Sequence, residues 1–212
     1  MVSVNNLVIL DIAVQVTNIL TSTGIGIFFD KSGDLVPLVY ANFVRKFEAS
    51  PAVSIFFHMR HLPTPSIPEA HRYIINRTSI PSCYRVVVRS GYMDDVITAD
   101  LAQMLVDQIT LFITADKAKA DLANQIIYEN GATVTNRDAE IRVELSALQK
   151  AQSQQTVYIV GKEQMRIAQG TNIARRIILG VFLWIRENAR SKIVGLSIPM
   201  EQLVEVGFVK EI

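Results

Sequence analysis

The feature that most constrains the fold is an apolar run at Ala52–Phe57, in which Ser54 is the one polar residue. A run of this length predicts a strand buried on both faces, as in parallel sheets covered by helices. Similar short runs recur along the chain, and segments with helical spacing separate them. The other predicted strands are Gly26–Phe29, Tyr73–Asn76, Tyr84–Arg89, Val157–Val160 and Leu203–Val209. Strands that alternate with helices of crossover length predict an α/β fold, with a mixed β-sheet flanked by helices.

Helical spacing predicts five helices between these strands. Pro37 opens the first, whose predicted core face carries Leu38, Phe43, Val44 and Phe47. The others are Asp100–Ala115, Ala118–Tyr128, Asp138–Gln152 and Asn172–Asn188. The last has the widest apolar arc, which predicts a helix buried on two sides.

The linking segments suggest one main domain. Three prolines in Pro63–Pro68 exclude helix and central strand there, and predict a stiff surface crossing. The predicted domain spans 24–212. Residues 1–23 are interpreted as a divergent N-terminal segment or linker, and 116–155 as a variable helical, mobile insertion.

The composition is unusually apolar for a domain without a membrane span. Charged residues make up 19% of the chain, below the ~25% usual for soluble domains, and the mean hydropathy is +0.26. Polar residues interrupt Val2–Leu20, and Ile173–Ile185 is short and contains two arginines, so neither predicts a transmembrane helix. We therefore expect part of the surface to be covered by a partner, a second copy or a membrane-embedded neighbour.

Motifs for chemistry are missing from the sequence. His58, His61 and His71 lack carboxylates or thiolates at ligand spacing, so no metal site is predicted. Gly24-Ile25-Gly26 precedes a strand, whereas a dinucleotide fingerprint follows one. Cys83, the only cysteine, is read as a small hairpin residue. We predict no catalytic residue and no cofactor, and the net charge of +1 argues against a nucleic-acid partner.

Charge is polarised along the chain. Between Asp94 and Glu144 there are ten acidic and four basic residues, which give a net charge of −6. Between Lys162 and Lys192 there are seven basic and two acidic residues, which give a net charge of +5. The basic part could meet anionic lipid headgroups. The candidate membrane-facing basic residues are Arg175, Arg176, Arg186, Arg190 and Lys192. The candidate interface residues lie on the helix predicted at Asn172–Asn188 and are Ile177, Val181, Trp184 and Ile185.

Several segments, taken in chain order, resemble one known family. They are Gly24–Phe29, Val36-Pro37, Phe56–Pro68, Tyr84–Tyr92, Tyr158–Gly161, Arg175–Asn188 and Ile198–Gly207. Together they resemble the C-terminal cytosolic domain of the HAK/KUP/KT potassium transporters, with Asp30–Gly33 similar to fungal members.

The resemblance implies a regulatory or dimerisation domain on the cytoplasmic face of the plasma membrane. The full-length protein would take up potassium, with proton symport, through membrane helices that this chain lacks. The implied partners are the membrane-embedded part of the transporter and a second copy, forming a homodimer. Two alternatives remain: a nucleotide-sensing regulatory module, as some bacterial relatives are controlled by cyclic dinucleotides, and a small cytosolic α/β enzyme.

Overall fold

A computed structural model describes residues 20–31, 36–94, 100–128, 137–167, 172–188 and 199–211 of the chain. Its strands are β1 (Leu20–Asp30), β2 (Ala49–His61), β3 (Tyr73–Arg77), β4 (Cys83–Ser90), β5 (Thr156–Arg166) and β6 (Leu203–Glu211). Its helices are α1 (Leu38–Phe47), the single turn α2 (Glu69–Arg72), α3 (Leu101–Tyr128), α4 (Arg137–Gln152) and α5 (Ile173–Asn188), with a 3₁₀ turn at Met200–Gln202.

The strands form one sheet in the order β3-β4-β2-β1-β5-β6. Every neighbouring pair is parallel except β3 and β4, which form an antiparallel hairpin. The prediction of an α/β fold with a mixed sheet flanked by helices is confirmed. None of the described helices is long and apolar enough to cross a bilayer.

The sheet is covered on two faces, as the apolar run in β2 predicts. On the α3–α4 face, Ile55 and Phe57 of β2 pack with helical residues such as Leu105 and Ile109. On the opposite face, called here the α1 face, Phe56 packs with a cluster around Tyr40 of α1. Successive residues of β2 therefore belong to different cores, because side chains alternate across a strand.

The helices depart from the predicted pattern at two places. The predicted helices Asp100–Ala115 and Ala118–Tyr128 are one continuous helix, α3, since no glycine or proline interrupts the segment. The predicted core face of α1 is also partly wrong. Leu38 and Phe47 are exposed, whereas Val39, Tyr40 and Val44 are buried.

Gly24 fixes the geometry where β1 meets the end of α4. Its φ is +102°, and a Cβ there would lie 2.1 Å from the carbonyl oxygen of Gln155. Only glycine adopts this conformation without strain. Gly24 and Gly26 lie within β1 rather than in a loop that opens a helix.

Candidate functional site

The predicted interface residues lie together on α5. Ile177, Val181, Trp184 and Ile185 occupy one side of the helix, and Ile178 and Phe182 extend it. These six residues, called here the α5 apolar arc, are each between 52% and 70% exposed. The arc is an exposed apolar surface on the order of several hundred Å², which is unusual for a surface facing only water.

The prediction that this helix is buried on two sides is wrong within the described chain. Leu179 and Leu183 are only half-buried, and no described element packs extensively against α5. The wide apolar arc that the sequence assigned to a core is therefore turned outward.

The predicted basic residues are spread along α5 and beyond it. Arg175 and Arg176 lie exposed in its first turn. Arg186 lies in its last turn, but its side chain is outside the described part, as are Arg190 and Lys192 altogether. An 11-residue separation corresponds to about 16 Å along a helix, so Arg175 and Arg186 do not form one compact patch.

A second feature, which the sequence reading missed, joins the β3–β4 hairpin to the long helices. Arg77 at the end of β3 donates to both carboxylate oxygens of Glu144 on α4, each at 2.9 Å. It also donates to Asp116 on α3 at 2.5 Å, and its guanidinium lies 5.1 Å from the ring centre of Phe112. The Tyr84 hydroxyl donates to Glu144 at 2.6 Å.

This network favours the ionised form of the Glu144 carboxyl group. Burial alone would raise the pKa of Glu144, but hydrogen bonds from Arg77 and Tyr84 outweigh it, and the pKa lies below its ordinary value. The hydrogen bond to Glu144 raises the pKa of Arg77 in turn. Residues 116–155 supply both carboxylates of this network, Asp116 and Glu144, and Ile141 and Leu148 from the same stretch lie in the core. The mobility of 116–155 stays a prediction.

Asp94 organises the carboxyl end of β4. Its carboxylate accepts from the backbone N–H groups of Gly91 at 2.8 Å and Ile67 at 3.0 Å, and from the Ser66 hydroxyl at 2.8 Å. Arg72 adds an ion pair at 3.5 Å. Asp94 therefore ties the proline-rich crossing Pro63–Pro68 to the end of β4.

The electrostatics of Asp94 follow from these donors. The Gly91 N–H, followed by the Ser66 hydroxyl, holds the pKa of Asp94 below its ordinary value. In the sequence Asp94 is only one of ten acidic residues between Asp94 and Glu144. The available signal was its position three residues after Gly91, the spacing at which a carboxylate can accept from the backbone of its own turn.

Cys83 is buried, and His58 and His61 each lie within hydrogen-bond distance of a neighbouring oxygen atom. Burial raises the pKa of the Cys83 thiol to about 11, which disfavours the reactive thiolate. Nδ1 of His58 lies 3.0 Å from the Asp30 carbonyl oxygen, and Nδ1 of His61 lies 2.9 Å from the Ser90 hydroxyl. Within the described ranges, no three His, Cys, Asp or Glu side chains are grouped as a metal site.

The sheet has a topological switch point between β1 and β5. From β1 the chain proceeds to β2 on one side of the sheet and later to β5 on the other. Crevices at such points bind ligands in many open α/β sheets. The loops that follow β1 and β5 include 32–35 and 168–171, which are outside the described residues.

Comparison with known proteins gives a consistent result. A family model described as "K+ potassium transporter C-terminal domain" matches residues 23–212. Potassium transporter 19 of Oryza sativa subsp. japonica is 26% identical over 197 residues, which are 89% of this chain and 26% of the relative. Potassium transporter 20 of the same plant is 29% identical over 199 residues, covering 89% of this chain and 27% of the relative.

A yeast protein is similar over a shorter stretch. The high affinity potassium transporter of Schwanniomyces occidentalis is 36% identical over 66 residues, which are 31% of this chain and 8% of that protein. The chain spans only about a quarter of the two plant relatives. No solved structure is significantly similar to it.

Proposed function

Because the chain belongs to the K+ potassium transporter C-terminal domain family, we propose that it is the regulatory and dimerisation domain of a potassium transporter. In this proposal the domain lies on the cytoplasmic face of the membrane and does not carry potassium itself. The full-length protein takes up potassium, with proton symport, through its membrane-embedded part. The observation that carries the docking role is the α5 apolar arc.

The occupant we propose for the arc is a second copy of the chain. Covering the arcs of two copies would bury on the order of 1,000 Å² in total, near the lower end for specific protein interfaces. Two copies related by a two-fold axis can cover each other's arc, so that no second type of surface is needed. The low charged fraction of 19% supports the same proposal, since interface cores are depleted of charge.

The lipid contact is a separate part of the proposal. Arg175 and Arg176 are exposed beside the arc, where a cation near an anionic membrane contributes about 1 kcal/mol. Arg186, Arg190 and Lys192 would add to this attraction. In the full-length protein, the domain would then contact the membrane-embedded part as well as the second copy.

Sedimentation velocity over a range of concentrations tests the dimer. We expect the wild-type chain to dimerise, and Ile177→Glu combined with Val181→Glu to weaken the dimer at least about a hundredfold, because each glutamate would be buried without a partner. The matched control is Leu111→Glu with Val143→Glu, two exposed apolar residues outside the arc. A wild-type monomer at every concentration would contradict the dimer.

A nucleotide-sensing role is the second candidate. The observation in its favour is the switch point between β1 and β5. Calorimetry of the wild-type chain against a nucleotide panel tests it, and saturable binding would support it. The α5 apolar arc shares no residue with β1 or β5, so this test is separate from that of the dimer. The enzyme alternative has less support, since the relatives are named as transporters.

A further inference from the structure

The carboxyl ends of β2 and β4 place two arginines side by side. Arg60 and Arg89 are register partners in this parallel pair, as are His58 with Val87 and Phe56 with Arg85. Phe56 belongs to the core cluster on the α1 face, and side chains alternate along a strand. Arg60 and Arg89 therefore both extend from the α1 face, on strands about 4.8 Å apart.

This part of the α1 face is accessible from solvent. Helix α1 has its main contacts with β1, β2, β5 and β6, and does not extend over β4. The connection from β2 to β4 uses the proline-rich crossing, α2 and β3 instead of a long covering helix. As a result, Arg60 is exposed and Arg89 is only half-buried.

The pair has no bonded counter-charge among the described residues; the carboxylate of Asp30 extends from the same face one strand away, opposite His58, and has contacts of its own. Neither Arg60 nor Arg89 makes an ion pair there. Like charges at directly opposing positions destabilise a sheet. Two other arginines nearby do have carboxylate partners, since Arg77 binds Glu144 and Asp116 of the long helices and Arg72 binds Asp94.

We propose that Arg60 and Arg89 form a binding site for a phosphoryl group. Two adjacent guanidinium groups supply a charge of +2, which matches a phosphate dianion better than a single carboxylate. Each guanidinium presents N–H donors in a planar fork that fits two phosphate oxygens. His58, one row further from the strand ends on the same face, lies within the same basic surface.

The position of the pair is consistent with a ligand site. Ligands of parallel α/β sheets bind at the carboxyl ends of the strands, which is where both arginines lie. The site is on β2 and β4, which are neither the strands of the switch point nor part of α5, so it does not depend on the proposed dimer. The phosphoryl group can belong to a soluble phosphate or to a lipid headgroup.

Titration of the purified chain with inorganic phosphate, followed by calorimetry and by thermal melting, tests the site. We expect saturable binding and a melting temperature that rises with phosphate. Arg60→Gln and Arg89→Gln should each weaken binding about tenfold or more, the loss expected for charge-assisted hydrogen bonds. The control Arg166→Gln removes an exposed arginine at the end of β5 and should bind as the wild type does.

A second arm uses phosphatidic acid vesicles, with phosphatidylcholine vesicles as the reference. Binding to phosphatidic acid that Arg60→Gln and Arg89→Gln weaken, without binding of inorganic phosphate, assigns the site to a headgroup, and the reverse assigns it to a soluble phosphate. Without phosphate, Arg60→Gln should melt no lower than the wild type, because like-charge repulsion is relieved. If Arg89→Gln fails to fold, Arg60→Gln alone tests the site, since Arg60 is exposed.

Two results would overturn the proposal. One is wild-type binding in neither arm, or binding that both glutamine variants retain in full. The other is binding that is absent in the wild type and gained in Asp30→Asn, which would mean that the Asp30 carboxylate, opposite His58 on the same face, neutralises the pair.

Discussion

At the level of single residues, Glu144 has the largest difference between its appearance in the sequence and its contacts in the fold. In the sequence it is one acid in a stretch of net charge −6, a pattern typical of a solvated helix face. In the structure it accepts from Arg77 and Tyr84. Its partners lie more than 50 residues away along the chain, and no local spacing rule connects such positions.

We predict that Glu144→Gln lowers the free energy of unfolding by about 2 kcal/mol at neutral pH, because the substitution removes the charge of a half-buried carboxylate that accepts hydrogen bonds from Arg77 and Tyr84. The folded-state pKa of Glu144 lies below its unfolded value of about 4.3. Its stabilising contribution is therefore complete above that value and is lost as the pH falls through the lower folded pKa.

Denaturant unfolding of the wild type and Glu144→Gln between about pH 7 and pH 3 measures this difference. The difference in unfolding free energy should stay constant down to about pH 5 and shrink below about pH 4. Glu140→Gln, at an exposed position on the same helix, is the control and should remain close to the wild type throughout. A constant difference across the whole range would refute the ionic account of Glu144.

At the level of elements, the strands could be predicted from the sequence and the packing faces of the helices only in part. Apolar runs of strand length located all six strands, and the pattern is clearest in β2, which is buried on two faces. The face of α1 was misassigned since Tyr40, a residue with a polar hydroxyl, packs its ring 5.0 Å from both Phe28 and Phe56. The sequence pattern identified the α5 apolar arc, but it could not show whether another element of the fold covers the arc.

The proline-rich crossing is the element whose position depends most on one side chain. Asp94 accepts from Ile67 and Ser66 of the crossing and from Gly91. Backbone bonds from Tyr92 to Thr64 and from Met93 to Pro65, each 3.0 Å, run alongside.

We predict that Asp94→Ala frees the crossing from β4 while the sheet stays folded. Hydrogen exchange at the amides of Ile67 and Gly91 should accelerate about tenfold or more, since each amide loses a charge-assisted acceptor. Amides in the middle of β2 should keep their protection. Asp107→Ala, which removes an exposed carboxylate bound only to Gln103, is the control, and equal exchange in both variants would contradict the role of Asp94.

At the level of the whole molecule, an apolar composition is combined with a broad apolar face of α5 that the described residues leave uncovered. The proposed dimer and the proposed neighbour in the membrane account for both observations. Composition and resemblance could indicate this role in advance. The Arg60–Arg89 pair could not be found in that way, because two strands that are distant in sequence bring it together.

The central claim is that the domain supports transport by docking and does not transport by itself. Its most direct test is rubidium uptake in cells that lack their own potassium uptake systems. They would express this chain alone, the full-length transporter proposed to contain it, or that transporter with Ile177→Glu and Val181→Glu. We predict no uptake with the chain alone, uptake with the full-length protein, and clearly lower uptake with the double variant at an equal amount in the membrane. Uptake by the chain alone, or undiminished uptake by the double variant, would contradict the account.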